Sequence, residues 1–397
     1  MPPLSKLLSE EGAVFDSYLL VRAGHFDEEE LHRMLCVEPA RFPGSSGSRC
    51  FQDNVTDLKA QVAANHCGIR LVRQLIQEYS MDVVQMYMRA IQDSAELAVR
   101  NLLKRLALDH NGEEISAVDY MDDGTPIVLK VTIDPSDGSA IFDFTGTGPE
   151  VYGNWNAPIA ICNSAVIFAL RCMVNSDIPL NQGCIKPVQI IIPDRSLLRP
   201  SFEAAVCAGN VLTSQRIVDV IFKSFKICAA SQGCMNNFTF GNDGENGFGY
   251  YETIAGGSGG GPVILRRFSL RAGSGGAGMY PGGEGVIRDV ELRLPMSVSI
   301  LSERRSFAPY GMAGGADGKR GKNTWITKAG RHISVGGKNS IRVQPGDRFV
   351  IETPGGGGYG VLGEPKKPSV DQSTVMPSFV PIANGSVAAN RSLAEEV

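Results

Sequence analysis

Polar amides recur in this chain at places where little else is polar. They stand in YGNWNAP (152–158), IPLNQGC (178–184), CAGNVLTSQR (207–216), SQGCMNN (231–237) and, beside a glutamate, YYETIAGG (250–257). Asn and Gln are costly to bury unless hydrogen-bonded. Set next to Gly and Cys at the ends of predicted strands and helices, they suit a converging pocket for an amide-like or carboxylate ligand. The same residues would serve equally as side-chain-to-backbone ties that pin loops, and residue types alone leave both readings open. Metal chemistry is poorly served. His25, His32, His66, His110 and His332 fall at no ligand spacing, and neither HExxH nor HxH occurs. Gly273-Ser-Gly-Gly-Ala-Gly278 matches GxGxxG in form, but predicted strands flank it on both sides, so it reads as a glycine turn. Gly256–Gly261 and Gly355–Gly358 offer backbone N–H groups, yet no GKS or GKT follows either run, and the preferred reading is conformational. Asp134-Pro-Ser-Asp137 reads as turn chemistry and Asp122-Asp123 as a solvated loop.

The elements that must position these residues follow from composition and period. The chain has 397 residues, 43% hydrophobic and 20% charged, with 38 Lys+Arg against 42 Asp+Glu, a net charge of −4. That balance argues against a general binder of nucleic acid or anionic membrane. No apolar run approaches the ~18 residues of a membrane helix, and the first residues do not read as a secretory signal. Nine Cys, an odd number without CxxC, read as reduced, mostly buried thiols of a cytoplasmic protein. Thirty of the 46 glycines lie between 241 and 360, so the second half is dense in turns.

Asp27 and the acids after it predict a short helix to Leu35. Residues 55–108 predict a helical hairpin, its second helix carrying a seam through Val84, Met88, Ile91, Ala95, Ala98 and Leu102. PIVLKVTI (126–133) and SAIFDF (139–144) predict a β-hairpin, 157–174 an apolar helix and VQIII (188–192) a strand. Thr213 or Ser214 is expected to cap a helix with Ile217, Val220, Ile221 and Phe225 on one face. From 236 onward, short strands separated by glycine turns, NNFTF, GYYETI, VILRRFSLR, VIRDVELRL, MSVSILSE and DRFVIET, predict an antiparallel β region, and 361–397 reads as a disordered tail. The expected class is α+β. A mainly helical section spans 1–115, a mixed α/β to glycine-rich β section spans 116–360, and the tail follows.

The same polar stretches resemble the hydantoinase B/oxoprolinase family. The resemblance runs in order through DNVTDLKAQVAAN (53–65), FDFTGTGPEVYGNWNAP (142–158), RCMVNSDIPLNQGC (171–184), GNVLTSQRIVDVI (209–221), ASQGCMNN (230–237), YYETIAGGSGGGP (250–262), LSERRSFAPYG (301–311) and TPGGGGYG (353–360). It covers nearly all of the chain outside the tail, and its wording is most similar to the C-terminal part of ATP-dependent 5-oxoprolinases. The resemblance implies ATP-driven hydrolytic opening of the 5-oxo-L-proline lactam to L-glutamate, in glutathione turnover. It also implies an A-type part that binds ATP and Mg and phosphorylates the substrate carbonyl oxygen, and an oligomeric, cytosolic enzyme with no nucleic-acid or membrane partner.

On this resemblance Asn154, Asn156, Asn181, Gln182, Asn210, Gln215, Gln232, Asn236 and Asn237 are expected to line the pocket. They would orient the substrate carboxylate and ring N–H. Glu252 is the candidate for proton transfer, and Arg304 and Arg305 are candidates to meet an anionic substrate or phosphate. Two family features are expected to be missing: the His/Asp-rich, metal-binding stretch that ends just before words like Met1-Pro-Pro, and a His-containing segment between Gly261-Pro262 and the Arg266-Arg267-Phe268 strand. The ligands of a divalent metal would go with them. A non-catalytic subunit that docks on an A-type partner or a longer copy through the hairpin and the glycine-rich face, and a hydantoin-opening relative, are the alternative readings.

Overall fold

Asp27 opens the first helix through its side chain, whose Oδ1 accepts from the Glu30 N–H at 2.9 Å, with Glu28, Glu29 and Glu30 in the favourable first turn. The structure is a computed structural model that describes residues 3–43, 45, 47–48, 50–174, 178, 180–242, 247–254 and 261–363. The expected tail from 364 onward lies outside the described residues. A strand pair, β1 (Val21–Arg22) and β2 (His25–Phe26), precedes α1 (Glu28–His32). The predicted hairpin is α2 (Phe51–Tyr79) and α3 (Met81–His110), joined at Ser80. Its burial differs from the expectation. Val55 is the buried residue of α2, and the seam of α3 is buried only from Ala95 onward, through Val99, Leu102, Leu103 and Leu106. The distal half holds its apolar residues in solvent because no described element covers it.

The first layer is the sheet β3-β4-β5-β6, formed by β3 (Ile115–Tyr120), β4 (Pro126–Ile133), β5 (Ala140–Asp143) and β6 (Val188–Ile191), with α4 (Ile159–Met173) in the connection between the last two strands. That crossover makes β5 and β6 parallel, whereas the other pairings are antiparallel. Helix α5 (Ser214–Ser224) packs with α4 and the end of α3 on this sheet. Val99, Leu103, Leu129, Phe142, Val166, Leu170, Ile217 and Ile221 share one core, each contributing about 1.5–3 kcal/mol by leaving water. Thr213 does not cap α5. Its hydroxyl bonds the Trp155 carbonyl, and a π-helical turn over Gly209–Thr213 leads into the helix.

The second layer is a sandwich. Its strands are β7 (Asn237–Asn242), β8 (Phe248–Glu252), β9 (Val263–Arg271), β10 (Gly285–Leu292), β11 (Met296–Leu301), β12 (Lys322–Ile326), β13 (His332–Ser334), β14 (Lys338–Val343) and β15 (Arg348–Glu352). The orders are β13-β12-β15-β10-β9 and β14-β11-β7-β8, all antiparallel. Phe238, Phe240, Val290, Val298, Phe349 and Ile351 fill the space between the two sheets.

The remaining glycines form neither layer. Segments near 274–285, 310–318 and 355–360 lie backbone to backbone. Gly276 N–H donates to Gly356, Ala316 N–H to Ala277, and Gly358 N–H to Ala316, at 2.7–2.9 Å. A Cβ at Gly357 would overlap the Tyr310 carbonyl oxygen, and one at Gly276 would overlap that of Ala316. Close approach is the reason for glycine here. The described residues up to Leu362 pack as one unit, with α3 reaching from the hairpin into the first core. The described cysteines are all free, but the expectation of mostly buried thiols fails. Cys162, Cys184 and Cys234 are buried, while Cys50, Cys67, Cys172 and Cys228 are exposed on helix faces and loops that no other described element covers.

Candidate functional site

Between α4 and α5 lies a cavity of about 770 Å³. Ile161, Ala165 and Phe168 of α4 and Val218 and Phe222 of α5 give it apolar walls, while Asn210, Ser214, Gln215, Asp219 and Ser231 give it polar points. Gly283, Gly356 and Gly357 bring backbone to one side. An apolar enclosure with a few convergent hydrogen-bonding groups is the usual form of a small-molecule site. The local sequence explains the arrangement. Helix α5 buries Ile217, Val220 and Ile221 toward the sheet, so Gln215, Val218 and Phe222 fall toward the cavity.

Asp219 joins this cavity to a buried ion network. One of its carboxylate oxygens accepts from the Ser231 N–H at 3.0 Å and the other from Arg304 Nη2 at 2.6 Å. Arg304 also pairs with Asp119 at 2.8 Å, and Arg216 with Asp119 at 3.5 Å and Glu303 at 3.0 Å. Lys338 closes the set on Glu303. Arg216, Arg304 and Glu303 have no exposed surface. Burial pushes the Asp219 carboxyl up, against the pull of Arg304. Burial pushes the same way at Glu303, but Lys338 and Arg216 outweigh it and hold that carboxyl below its ordinary range. Arg304 adopts φ +65°, as Asn236 does at +51°. This left-handed turn sends two successive guanidinium groups in different directions. Arg304 faces Asp119 and Asp219, while Arg305 donates to Asn236 Oδ1 at 2.7 Å and Asn323 Oδ1 at 3.1 Å.

The other expected site residues are distributed. Gln232 and Asn236 bond each other at 3.0 Å next to Arg305. Arg305 borders a second, polar cavity of about 520 Å³ with Asp122, Asp123, Trp155, Asn323 and Lys338. Asp122 is no solvated loop residue, since its carboxylate accepts the backbone N–H groups of Arg305, Ser306 and Phe307. Asn154 and Asn237 meet a third group. Asn154 Nδ2 lies 3.5 Å from Cys207 Sγ, and Asn237 donates to the Tyr251 hydroxyl at 2.6 Å. Burial, aided by Glu11, pushes the Cys207 thiol up to about 12, so it is no ready nucleophile. Asn156 is a loop tie, donating to the Val151, Gly153 and Ala205 carbonyls and accepting from the Val151 N–H. Asn181 bonds the Gly183 N–H and reaches toward the Ile91 carbonyl, with Gln182 exposed beside it. Glu252 lies inside the sandwich, 2.7 Å from both Arg288 and the Tyr250 hydroxyl. Of the expected residues, Asn210 and Gln215 therefore line the α4–α5 cavity, and Arg304 reaches it through Asp219. Arg304 itself is closed off from solvent, which leaves it no surface to offer an anion.

The hydantoinase B/oxoprolinase family model matches residues 1–263 and 260–362. The chain belongs to that family. The two matched runs meet at the point where the resemblance placed a missing segment. The 5-oxoprolinase of Saccharomyces cerevisiae is 48% identical over 404 residues, and 5-oxoprolinase 1 of Arabidopsis thaliana 49% over 405. Each match covers 91% of this chain and 31% of the longer protein, so the chain spans about a third of the length of these relatives and corresponds to their C-terminal part. The crystal structure of an ATP-dependent caprolactamase from Pseudomonas jessenii shares the fold, with a TM-score of 0.74 at 21% identity over 91% of this chain and 69% of that one.

The hydantoinase B/oxoprolinase resemblance implies ATP and a divalent metal, and the described residues do not fit either group. The N–H groups of Gly355, Gly356, Gly357 and Gly358 are already bonded to the carbonyls of Lys319, Gly283, Ala230 and Ala316. No phosphate cradle is left in that run. The nest at Gly273–Gly275 is filled by the chain's own Glu284, whose carboxylate accepts from three successive N–H groups and the Ser274 hydroxyl and is held down to about 2. Among the described residues no three of His, Cys, Asp and Glu converge as metal ligands. Nor is any described helix long and apolar enough to cross a membrane.

Proposed function

We propose that this chain is the C-terminal, lactam-holding portion of an ATP-dependent 5-oxoprolinase. A complementary A-type part and an N-terminal stretch supply ATP, Mg and any metal. The observation that carries this reading is the α4–α5 cavity. Its aliphatic and aromatic walls suit the methylene face of a five-membered ring, and the Asn210 and Gln215 amides suit the ring C=O and N–H, which need one donor and one acceptor. The net opening adds one water across the lactam C–N bond, and the coupled ATP hydrolysis uses a second water and releases ADP and inorganic phosphate. The oxygen of the first water bonds to the ring carbonyl carbon, the C–N bond breaks, and the nitrogen takes a proton to become the amine of glutamate. Proton handling falls to Asp219 in place of Glu252. Asp219 borders the cavity and burial raises its proton affinity, whereas Glu252 is held within the sandwich.

The test is ATP-dependent glutamate release from 5-oxo-L-proline by the assembled enzyme. Asn210→Ala and Gln215→Ala should each raise KM by about 3–10-fold, the net value of a neutral hydrogen bond to substrate. Unchanged kinetics in both variants would sink the assignment of the cavity.

A second reading concerns the hairpin. Ile69, Leu71, Leu75, Tyr79, Met86, Tyr87 and Met88 are roughly half exposed along its outer half. Such a surface exceeds what scattered surface apolar residues account for. The relatives carry about two thirds of their length outside the matched region, and we assign that portion as the hairpin's partner. In this reading the chain acts as a docking subunit.

A further inference from the structure

The α4–α5 cavity is shaped for a ring but holds no charge complement for an acid. Its described lining residues include no lysine, arginine or histidine, and they include the Asp219 carboxylate. Asn210, Ser214, Gln215 and Ser231 can hydrogen-bond an anion, but neutral donors do not neutralise it. Moving an uncompensated carboxylate from water to apolar walls is strongly disfavoured. The 5-oxo-L-proline ring carries one carboxylate. If that ring sits in the cavity, its charge must meet a cation at the rim.

Helix α4 carries a candidate one turn beyond the residues that line the cavity. Ile161, Ser164, Ala165 and Phe168 form its cavity face. The i, i+3 and i, i+4 spacing carries that face onward to Arg171 and Cys172, one turn beyond Phe168. Arg171 is the one lysine or arginine of α4, and it is partly exposed. The cations of α5 point elsewhere. Arg216 is locked in the ion network, and Lys223 donates to the Val118 carbonyl at 2.8 Å and lies over the Tyr310 ring. Arg171 already interacts within its surroundings, but a guanidinium has five donors in a planar fork that matches a carboxylate edge. We propose that Arg171 reads the carboxylate of an anionic lactam at the cavity rim and sets the preference for 5-oxo-L-proline over neutral lactams. The inference rests on the lactam reading of the cavity.

The experiment compares 5-oxo-L-proline with 2-pyrrolidinone, the same ring without the carboxylate. Wild type, Arg171→Ala and Arg171→Lys are assayed in the assembled enzyme with ATP. Arg171→Ala should lower the kcat/KM ratio of the acidic over the neutral lactam by about 10–100-fold, mostly through KM for the acid, the value of a charge-assisted hydrogen bond. Arg171→Lys should recover part of the ratio. An unchanged ratio in Arg171→Ala overturns the proposal. A parallel arm measures calorimetric binding of 5-oxo-L-prolinate to this chain alone. If the wild-type enzyme opens neither lactam, the functional reading fails, and binding then decides the present inference. Binding lost in Arg171→Ala supports it, and binding that is unchanged, or absent in the wild type, overturns it.

Discussion

Asp219 has two duties that pull against each other: it borders a cavity, and it holds Arg304 in a closed network. Removing the arginine shows which duty the fold depends on. Arg304→Ala would leave Asp119 and Asp219 buried beside too little positive charge, so a loss of about 3–5 kcal/mol is expected in denaturant unfolding. A titration offers a second check. Glu284 is held down to about 2 by the Ser274 hydroxyl and the N–H groups of Ser274, Gly275 and Gly273. Its folded pKa lies below the unfolded value of about 4.3, so its contribution is present above that pH and is lost as pH falls toward the folded value. Glu284→Gln should lower the unfolding midpoint at pH 7 and flatten its fall in acid, and an unchanged acid limb would refute the nest. Asn210 and Gln215 were legible because amides among apolar residues stand out. Asp219 was not, although an aspartate amid the apolar positions Ile217, Val220 and Ile221 was the available signal. Its partner Arg304 stands 85 residues away, and Asp119 stands 97 residues from Arg216. No local pattern marks such pairings.

Helical and alternating periods carried the elements. The hairpin, α4, α5, the β4–β5 pair and the main strands of the sandwich all follow from them. Strands β1, β2, β3, β12, β13 and β14 went unmarked. KNTWI and KNSIRV carry Lys, Asn and Ser where a strand pattern would have aliphatics, and β13 has three residues. Pairing to their neighbours decides those strands more than propensity does. Period also overstated the hairpin, because a seam shows which face is apolar and not whether anything covers it. Two substitutions separate the halves of the hairpin. Leu103→Ala, in the first core, should cost about 2–5 kcal/mol in thermal or denaturant unfolding. Leu75→Lys, 47% exposed in α2, should stay within about 0.5 kcal/mol. Equal losses would mean that the outer half packs on something within the chain.

At the scale of the molecule, the α/β layer and the sandwich are tied by the ion network and by three glycine segments whose backbones touch. Gly357→Ala would drive a methyl group into the Tyr310 carbonyl, and a loss of about 1–3 kcal/mol in unfolding free energy is expected from overpacking. A neutral result would show that the segments part easily. The arrangement also bears on how the chain is made. Its glycine strips leave the ribosome in sequence, from Gly273 to Gly360. At about 5–20 residues per second the earliest waits several seconds for the last. During that wait its amides and carbonyls are open to water and to the edges of other nascent chains. Closure of the long-range backbone pairs is thus a late event in biogenesis. A polypeptide released before Gly355 would lack the strip that pairs with both earlier ones and would be a natural client for chaperones and proteases.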